Sequence, residues 1–343
     1  MFKDNTVFVV GAGASQEFGL PIGWELVDII RNNCNFVVEF NNLKQGSRPI
    51  FAHYLRIFGT QDATKVEELN LRLRVSRQIK DGIDSADSID EYIFRYSHDP
   101  LIAEVGKLQI AYAISLAESA SKLSLKKGFV ENIDSAHNTW IWAFFKALIN
   151  GVKANELDRI GQNITIICFN YDRCIEHYLE HALTKSFAGL SLDDARKIVK
   201  NINIIHPYGS LGGLDEFPFG LIDGFPRMAG NIVTWSETVR DLESVNNMRH
   251  AIWQAERIVF MGFAFANQNM KLLDCEAVET NENCPLVFST GYGLQRETKK
   301  ALSENINALY SNGEALGQLE KIHFQYDAKC KEFFDIHRIN LVQ

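Results

Sequence analysis

Residues 6–15, TVFVVGAGAS, decide the fold of this chain. The apolar run at 7–10 does not alternate with polar residues, which indicates a strand buried on both faces of a parallel sheet. The small residues at 11–15 let a backbone approach a ligand closely and adopt unusual φ angles. A helix that begins there would direct free N–H groups toward a phosphate. The stretch therefore predicts a nucleotide-binding turn, with a plain strand-to-helix turn as the alternative.

The composition is that of a globular protein with a sizeable core. The 343 residues are 46% hydrophobic and 23% charged, and the net charge of −8 argues against a general nucleic-acid-binding surface. We expect a cytoplasmic protein, because no apolar stretch reaches membrane length and the first residues lack a signal-peptide layout. The six scattered cysteines form no CxxC pair, which indicates reduced thiols.

Strand patterns alternate with helical patterns along most of the chain. We predict further strands at 163–169, 203–206, 257–262 and 285–290, and an edge strand at 320–326. Helical patterns cover 23–33, 66–80, 89–96, 100–123, 140–149, 173–185, 192–200, 237–256 and 294–310, whereas 41–49 has the composition of a loop. This alternation predicts an α/β protein with a doubly wound parallel, Rossmann-like sheet.

The segment 51–151 is helical in pattern and holds few strand candidates. It lies between the first strand and the rest of the sheet, so we interpret it as a large helical insertion within a single domain that spans 1–343. Aromatic residues concentrate near Trp140. Their simplest role is helix–helix packing, and the alternative is a pocket wall or an oligomer surface.

Small or polar residues follow each predicted strand. Ligands of open α/β sheets bind outside the carboxyl ends of the strands, so these residues are the site candidates. They are Gly11, Ala12, Gly13, Ala14 and Ser15; then Asn170, Tyr171 and Asp172; then His206 with the loop PYGSLG; then Gly262 and Phe263; and last Thr290 with the loop GYG. Together these strand ends predict a nucleotide pocket.

The ordered motifs GAGAS-x3-GLP, FNYD, HPYGSLG and MGFAF resemble those of the sirtuin fold. They are more similar to the motifs of the bacterial sirtuin-like NAD hydrolases of anti-phage defence, which have FNYD and a GF-x-F turn followed by Gln-Asn. Here Phe263, Phe265, Gln268 and Asn269 match that turn. The resemblance covers nearly the whole chain apart from the helical insertion, which matches only in character.

The resemblance implies a sirtuin-type fold and cleavage of NAD⁺, as substrate, to nicotinamide and ADP-ribose. It puts Asn170 and His206 at the catalytic positions and Asp172 at the acidic position of the same motif. It gives the phosphate and ribose contacts to residues 11–15 and the adenosine side to Gly262 and Phe263. The activity would deplete cellular NAD⁺, so we expect it to be gated by homo-oligomerisation or by an ATPase partner such as a HerA-type ring. No membrane contact is expected.

The chemistry of these residues fits cleavage of NAD⁺, although each side chain also has a simpler structural role. Cleavage of the nicotinamide–ribose bond passes through an oxocarbenium-like transition state. The Asn170 amide could position water or a hydroxyl, and a neutral His206 could take up its proton. The plainer roles are a turn residue for Asn170, a core histidine for His206, and helix caps for Asp172 and Ser15.

The sequence leaves two other classes of function open. Protein deacylation is in doubt because Ile22-Gly23-Trp24 replaces the Asp-Phe-Arg of sirtuins and the zinc-binding pair of CxxC motifs is missing. We accordingly expect no zinc. The second class is a catalytically silent subunit of a larger assembly that senses NAD⁺ or ADP-ribose.

Overall fold

The computed structural model describes residues 1–40, 42–59, 62–128, 133–275, 284–311 and 316–343. In chain order the elements are β1 (Thr6–Val10), α1 (Ala12–Ser15), α2 (Gly23–Asn33), β2 (Val37–Glu39), β3 (Asn42–Gln45), α3 (Arg48–Phe58), α4 (Ala63–Gly82), α5 (Ile89–Arg95), α6 (Pro100–Ala120), α7 (Trp140–Leu148), β4 (Ile164–Cys168), α8 (Cys174–Ser186), α9 (Leu192–Lys200), β5 (Asn203–Ile205), α10 (Phe225–Met228), α11 (Trp235–Thr238), α12 (Leu242–Gln254), β6 (Arg257–Met261), α13 (Asn267–Leu273), β7 (Leu286–Thr290), α14 (Lys299–Ala308), β8 (Ile322–Gln325) and α15 (Cys330–Leu341).

The central sheet has six strands in the order β5-β4-β1-β6-β7-β8, and all neighbouring strands are parallel. Val10, at the end of β1, lies beside Cys168 of β4 and Met261 of β6. The chain proceeds outward from β1 to β5, returns to β6, and proceeds outward again to β8. The strand order therefore reverses between β1 and β6, which confirms the predicted doubly wound, Rossmann-like sheet and each predicted strand.

Helices cover both faces of this sheet. All five residues of β1 are buried, which explains why its apolar run does not alternate. Val7 and Val9 belong to one hydrophobic core, which they share with residues of α2 to α6, α12 and α14. Phe8 and Val10 belong to a second core on the opposite face, which includes residues of α7, α8, α9 and α15.

The aromatic cluster near Trp140 is part of the second core. Trp140, Phe144 and Phe145 are at most 5% exposed, and the Phe144 ring contacts the Phe8 ring edge to face at 5.2 Å. The Trp140 indole Nε1 donates to the Ala14 carbonyl at 2.9 Å. These residues therefore support the turn after β1. The predicted packing role is confirmed for Trp140, Phe144 and Phe145, whereas Trp142 is only partly buried.

Three sequence-based assignments differ from the structure. Residues 41–49 are not simply a loop: β2 and β3 form an antiparallel hairpin, and α3 begins at Arg48. The helix expected over 237–256 is divided into α11 and α12, because the Asp241 carboxylate accepts from the Ser244 amide and starts a new helix. The helix expected over 294–310 begins only at Lys299, and α13 and α15 were not predicted.

A buried ion pair joins α6 to the segment after β4. The side chains of Glu118 in α6 and Arg173 are 0% and 2% exposed, with Oε2 and Nη2 2.6 Å apart. Glu118 Oε1 accepts from Arg173 Nε at 3.1 Å, and its Oε2 also accepts from the Gly220 amide at 3.1 Å. Burial raises the pKa of Glu118, and the Arg173 charge opposes that rise.

We expect Glu118→Gln to lower the free energy of unfolding by about 3–5 kcal/mol, because it leaves the Arg173 charge buried without a counter-charge. Urea unfolding measures the loss. Glu156→Gln is the matched control, since Glu156 pairs with Arg159 at 2.9 Å on the surface and such pairs contribute about 1 kcal/mol or less. Equal losses in the two variants would contradict a stabilising role for the buried pair.

Candidate functional site at the carboxyl ends of β1 and β4

The turns after β1 and β6 touch through their backbones where the strand order reverses. The Gly11 amide donates to the Met261 carbonyl at 2.9 Å, and the Gly13 amide donates to the Gly262 carbonyl at 3.0 Å. A Cβ atom on Gly13 would lie 2.9 Å from the Gly262 Cα, and a Cβ on Gly262 would overlap the Ala14 amide nitrogen. Gly262 also has a φ of +57°. Glycine is therefore required at both positions by backbone contact.

This contact changes the interpretation of the GAGAS turn. The sequence predicts free amides directed at a phosphate. In the structure the Gly11 amide donates to the last residue of β6, the Gly13 amide donates to the turn after β6, and the Ala14 amide donates to the Gly11 carbonyl at 2.9 Å. The helix that begins at the turn, α1, contains only four residues. In the free protein the three amides are therefore already paired, and the glycines serve strand–strand packing.

Asn170 follows β4 and binds the turn after β1. Its Nδ2 donates to the Gly11 carbonyl at 3.1 Å and to the Ser15 hydroxyl at 2.9 Å. The residue is 6% exposed, and its Oδ1 has no hydrogen-bond partner among the described residues. A buried amide oxygen without a partner is costly, so this atom is available to a donor group of a ligand.

Asp172 lies one residue before Arg173, the N-cap of α8, and its side chain bonds the first turn of that helix. Its Oδ1 accepts from the Cys174 amide at 3.1 Å at the start of α8. Burial raises the pKa of this carboxyl, and hydrogen bonds from Cys174 and Ser15 oppose the rise. Asp172 therefore bonds the start of α8 without being its N-cap residue, and through Ser15 the same carboxylate is linked to Asn170.

His206 follows β5 and is held through both ring nitrogens. Its Nδ1 donates to the Asn170 carbonyl at 3.0 Å, and its Nε2 donates to Glu176 Oε1 at 2.7 Å. Burial favours the neutral ring, but the Glu176 carboxylate outweighs it and raises the pKa of His206 well above its ordinary value. Burial acts to raise the pKa of Glu176, but His206 lowers it below its ordinary value. Both ring nitrogens face oxygen acceptors, which is the geometry of an imidazolium–carboxylate pair, whereas the sequence predicts a neutral ring.

The predicted site residues fall into two groups on either side of β1. Ser15, Asn170, Asp172 and His206 are linked to one another by the hydrogen bonds described above. Gly262 contacts the turn after β1 through its backbone. Phe263 is 5% exposed, and its ring packs against the rings of Phe169, Phe260 and Phe265. Phe263 therefore supports the strand ends from the core.

Two further residues, Glu176 and Asp90, contribute to this site and are not predicted from the sequence. Glu176 lies in the first turn of α8 and contacts His206. In the sequence it is a carboxylate near the start of a predicted helix, and acidic residues are common there because they stabilise helix N-termini. Asp90 in α5 accepts from the Tyr171 hydroxyl and brings the helical insertion to the site. Burial raises the pKa of Asp90 to about 6, opposed by that hydrogen bond.

An open depression of about 440 Å³ lies elsewhere along the same edge of the sheet, beyond β7 and β8. Its lining comprises residues 292–297, Tyr326 and Asp327. It does not reach Asn170 or His206. Because Asn170 and Ser15 are buried, a ligand can contact them only after this end of the sheet opens.

Within the described ranges, no three or more His, Cys, Asp or Glu side chains are grouped to hold a metal ion, and no helix is both long and apolar enough to cross a membrane. The candidate site thus consists of the Asn170 amide, the His206–Glu176 pair and the buried Asp172 carboxylate. Comparison of the chain with protein-family models, curated proteins and solved structures finds no significant match.

Proposed function

We propose that the protein is an NAD⁺ hydrolase that cleaves the nicotinamide–ribose bond, acting as a gated effector of anti-phage defence that depletes cellular NAD⁺. The observation that carries this proposal is the buried Oδ1 of Asn170, which has no hydrogen-bond partner among the described residues. The backbone carbonyl of the same residue bonds the His206 ring, so Asn170 and His206 meet at the carboxyl ends of β4 and β5. An amide acceptor next to a titratable ring suits the positioning and deprotonation of a water molecule.

The proposed reaction uses one water molecule and no external oxidant. The water oxygen bonds to the anomeric carbon of the ribose as the carbon–nitrogen bond to nicotinamide breaks, and nicotinamide leaves with the electron pair of that bond. Asn170 Oδ1 accepts a hydrogen bond from the water or from a ribose hydroxyl. His206 takes up the proton that the water loses, so the products are nicotinamide, ADP-ribose and one proton.

The paired state of His206 is consistent with gating. With protons on Nδ1 and Nε2 the ring cannot accept another, so one of its two hydrogen bonds has to open and the ring has to lose a proton before it can act as a base. Asn170 is buried, so this end of the sheet also has to open before a ligand can contact its side chain. We propose that assembly into a homo-oligomer, or docking on an ATPase ring, supplies this opening.

Incubation with NAD⁺ and chromatography of the products tests the proposal. A hydrolase releases nicotinamide and ADP-ribose in equal amounts without a peptide. Release that depends on an acetylated peptide would instead indicate a deacylase, and calorimetric binding of NAD⁺ without release would indicate a sensor. The assay is run alone and with candidate ATPase partners, and intact NAD⁺ in every mixture would contradict the proposal.

Oligomeric state provides a separate check on gating. We expect activity to rise with protein concentration or on addition of the partner, because isolated chains hold His206 in its paired state. Light scattering combined with the nicotinamide assay measures both quantities in the same samples. A monomer at micromolar concentration that is fully active alone would contradict gating by assembly.

A further inference from the structure

Glu176 is a charged residue of the candidate site to which the sequence analysis gave no role. It lies in the first turn of α8, and its Oε1 accepts from His206 Nε2 at 2.7 Å. Its Oε2 has no hydrogen-bond partner among the residues that the structure describes. Among the described residues, His206 is therefore the side chain to which this carboxylate is hydrogen-bonded.

The two hydrogen bonds of His206 fix both the orientation and the protonation of the ring. The Asn170 carbonyl can only accept, so Nδ1 carries a proton. An ionised Glu176 can also only accept, so Nε2 carries a second proton while the pair is intact. The proton between Nε2 and Oε1 is thus the one that His206 must give up, or share with Glu176, before it can act as a base.

Other titratable groups near the pair do not replace Glu176. Cys168 of β4 lies beside His206 and, after Glu176, also raises the pKa of the ring. Burial raises the pKa of the Cys168 thiol itself, which favours its uncharged form. Asp172 and Arg173, at the start of α8, are committed to the Cys174 amide and to Glu118. Glu180, one turn further along α8, accepts from Arg196 Nε at 3.2 Å and makes no hydrogen bond to His206.

We propose that Glu176 is the positioning residue for His206: its carboxylate orients the ring through Nε2, keeps it protonated in the free protein, and so sets the pH range in which His206 can accept a proton. This inference rests on the proposed NAD⁺ hydrolysis. It extends the site from the end of β5 to the first turn of α8.

Titration of His206 by NMR tests the pair without any turnover. Glu176→Gln keeps the shape of the side chain and can still form a hydrogen bond, but it removes the charge. We expect the His206 pKa to fall by about one to three pH units, since that is the usual effect of an opposite charge at this distance. His206→Gln assigns the signal among the nine histidines. Glu180→Gln, the matched control on the same helix, should leave the His206 pKa in place.

The pH profile of nicotinamide release tests the catalytic consequence. The base form of His206 appears as the pH rises through its pKa, so the acid limb of kcat/KM should move to lower pH in Glu176→Gln. We expect maximal kcat to fall about 10- to 100-fold with little change in KM, because a displaced catalytic group can cost about 100-fold. Glu180→Gln should retain the wild-type profile.

The outcomes separate this inference from the proposed function. An unchanged His206 pKa in Glu176→Gln would overturn the inference, and so would a lowered pKa with an unchanged pH profile. A wild-type protein that releases no nicotinamide, alone or with partners, would contradict the proposed hydrolysis itself. The NMR titration would then still show whether Glu176 controls the protonation of His206.

Discussion

Asn170→Ala is expected to lower the rate of nicotinamide release by about 10²–10⁴-fold, the range typical of a lost positioned catalytic group. The substitution removes the buried Oδ1 acceptor, which has no other described partner. It also removes the hydrogen bonds from Nδ2 to the Gly11 carbonyl and the Ser15 hydroxyl. We therefore expect an additional loss of about 1–3 kcal/mol in the free energy of unfolding, which the folded protein should survive.

Asn203→Ala is the matched control for this change. Its Nδ2 donates to the Thr165 hydroxyl at 3.0 Å on the exposed side of β5, away from His206. Turnover should be close to that of the wild type. His206→Ala should be about as slow as Asn170→Ala, and the double variant little slower than either, if the two side chains act as a unit. Near wild-type turnover by folded Asn170→Ala would contradict the assignment of this residue.

Gly262→Ala is expected to lower the free energy of unfolding by about 2–5 kcal/mol. A φ of +57° costs an alanine about 1–2 kcal/mol, and overpacking adds about 1–3 kcal/mol. The added methyl group would overlap the Ala14 amide nitrogen, which is backbone and cannot rotate away. Relief would require the turns after β1 and β6 to separate, which breaks the 3.0 Å bond from the Gly13 amide to the Gly262 carbonyl.

Thermal and urea unfolding measure this loss. Gly230→Ala is the matched control, because no atom lies within 4 Å of its added Cβ and its φ is not in the left-handed region. It should change the free energy of unfolding by about 0.5–1 kcal/mol or less. Equal stability of the two variants would contradict the close contact between the two turns. Gly13→Val meets the same Gly262 backbone, so we expect it to impair folding as well as any ligand binding.

The sheet could be predicted because each central strand is a short apolar run with its own turn signals. The run at 7–10 and the NITIICF run at 163–169 needed no tertiary information, since burial on both faces determines their composition. β2 and β3 could not be predicted in the same way. They have three and four residues and are largely exposed, so hairpin pairing leaves no periodic signal in the sequence.

The candidate site was only partly predictable for a related reason. Parallel strands bring their carboxyl ends to one edge of the sheet, so the proximity of Asn170 and His206 follows from the strand assignment alone. The pairing of the Gly13 amide with Gly262 depends on the approach of two turns that are far apart in sequence. The contact between Glu176 and His206 depends on how α8 lies against the end of β5, which no local pattern encodes.

Nicotinamide release from NAD⁺ by the wild-type protein and by His206→Ala, assayed side by side with and without an ATPase partner, tests the central claim most directly. We expect equal amounts of nicotinamide and ADP-ribose from the wild type, and a rate about 10²–10⁴-fold lower from His206→Ala at an unchanged circular dichroism spectrum. Intact NAD⁺ in every wild-type mixture, or equal rates from the two proteins, would contradict it.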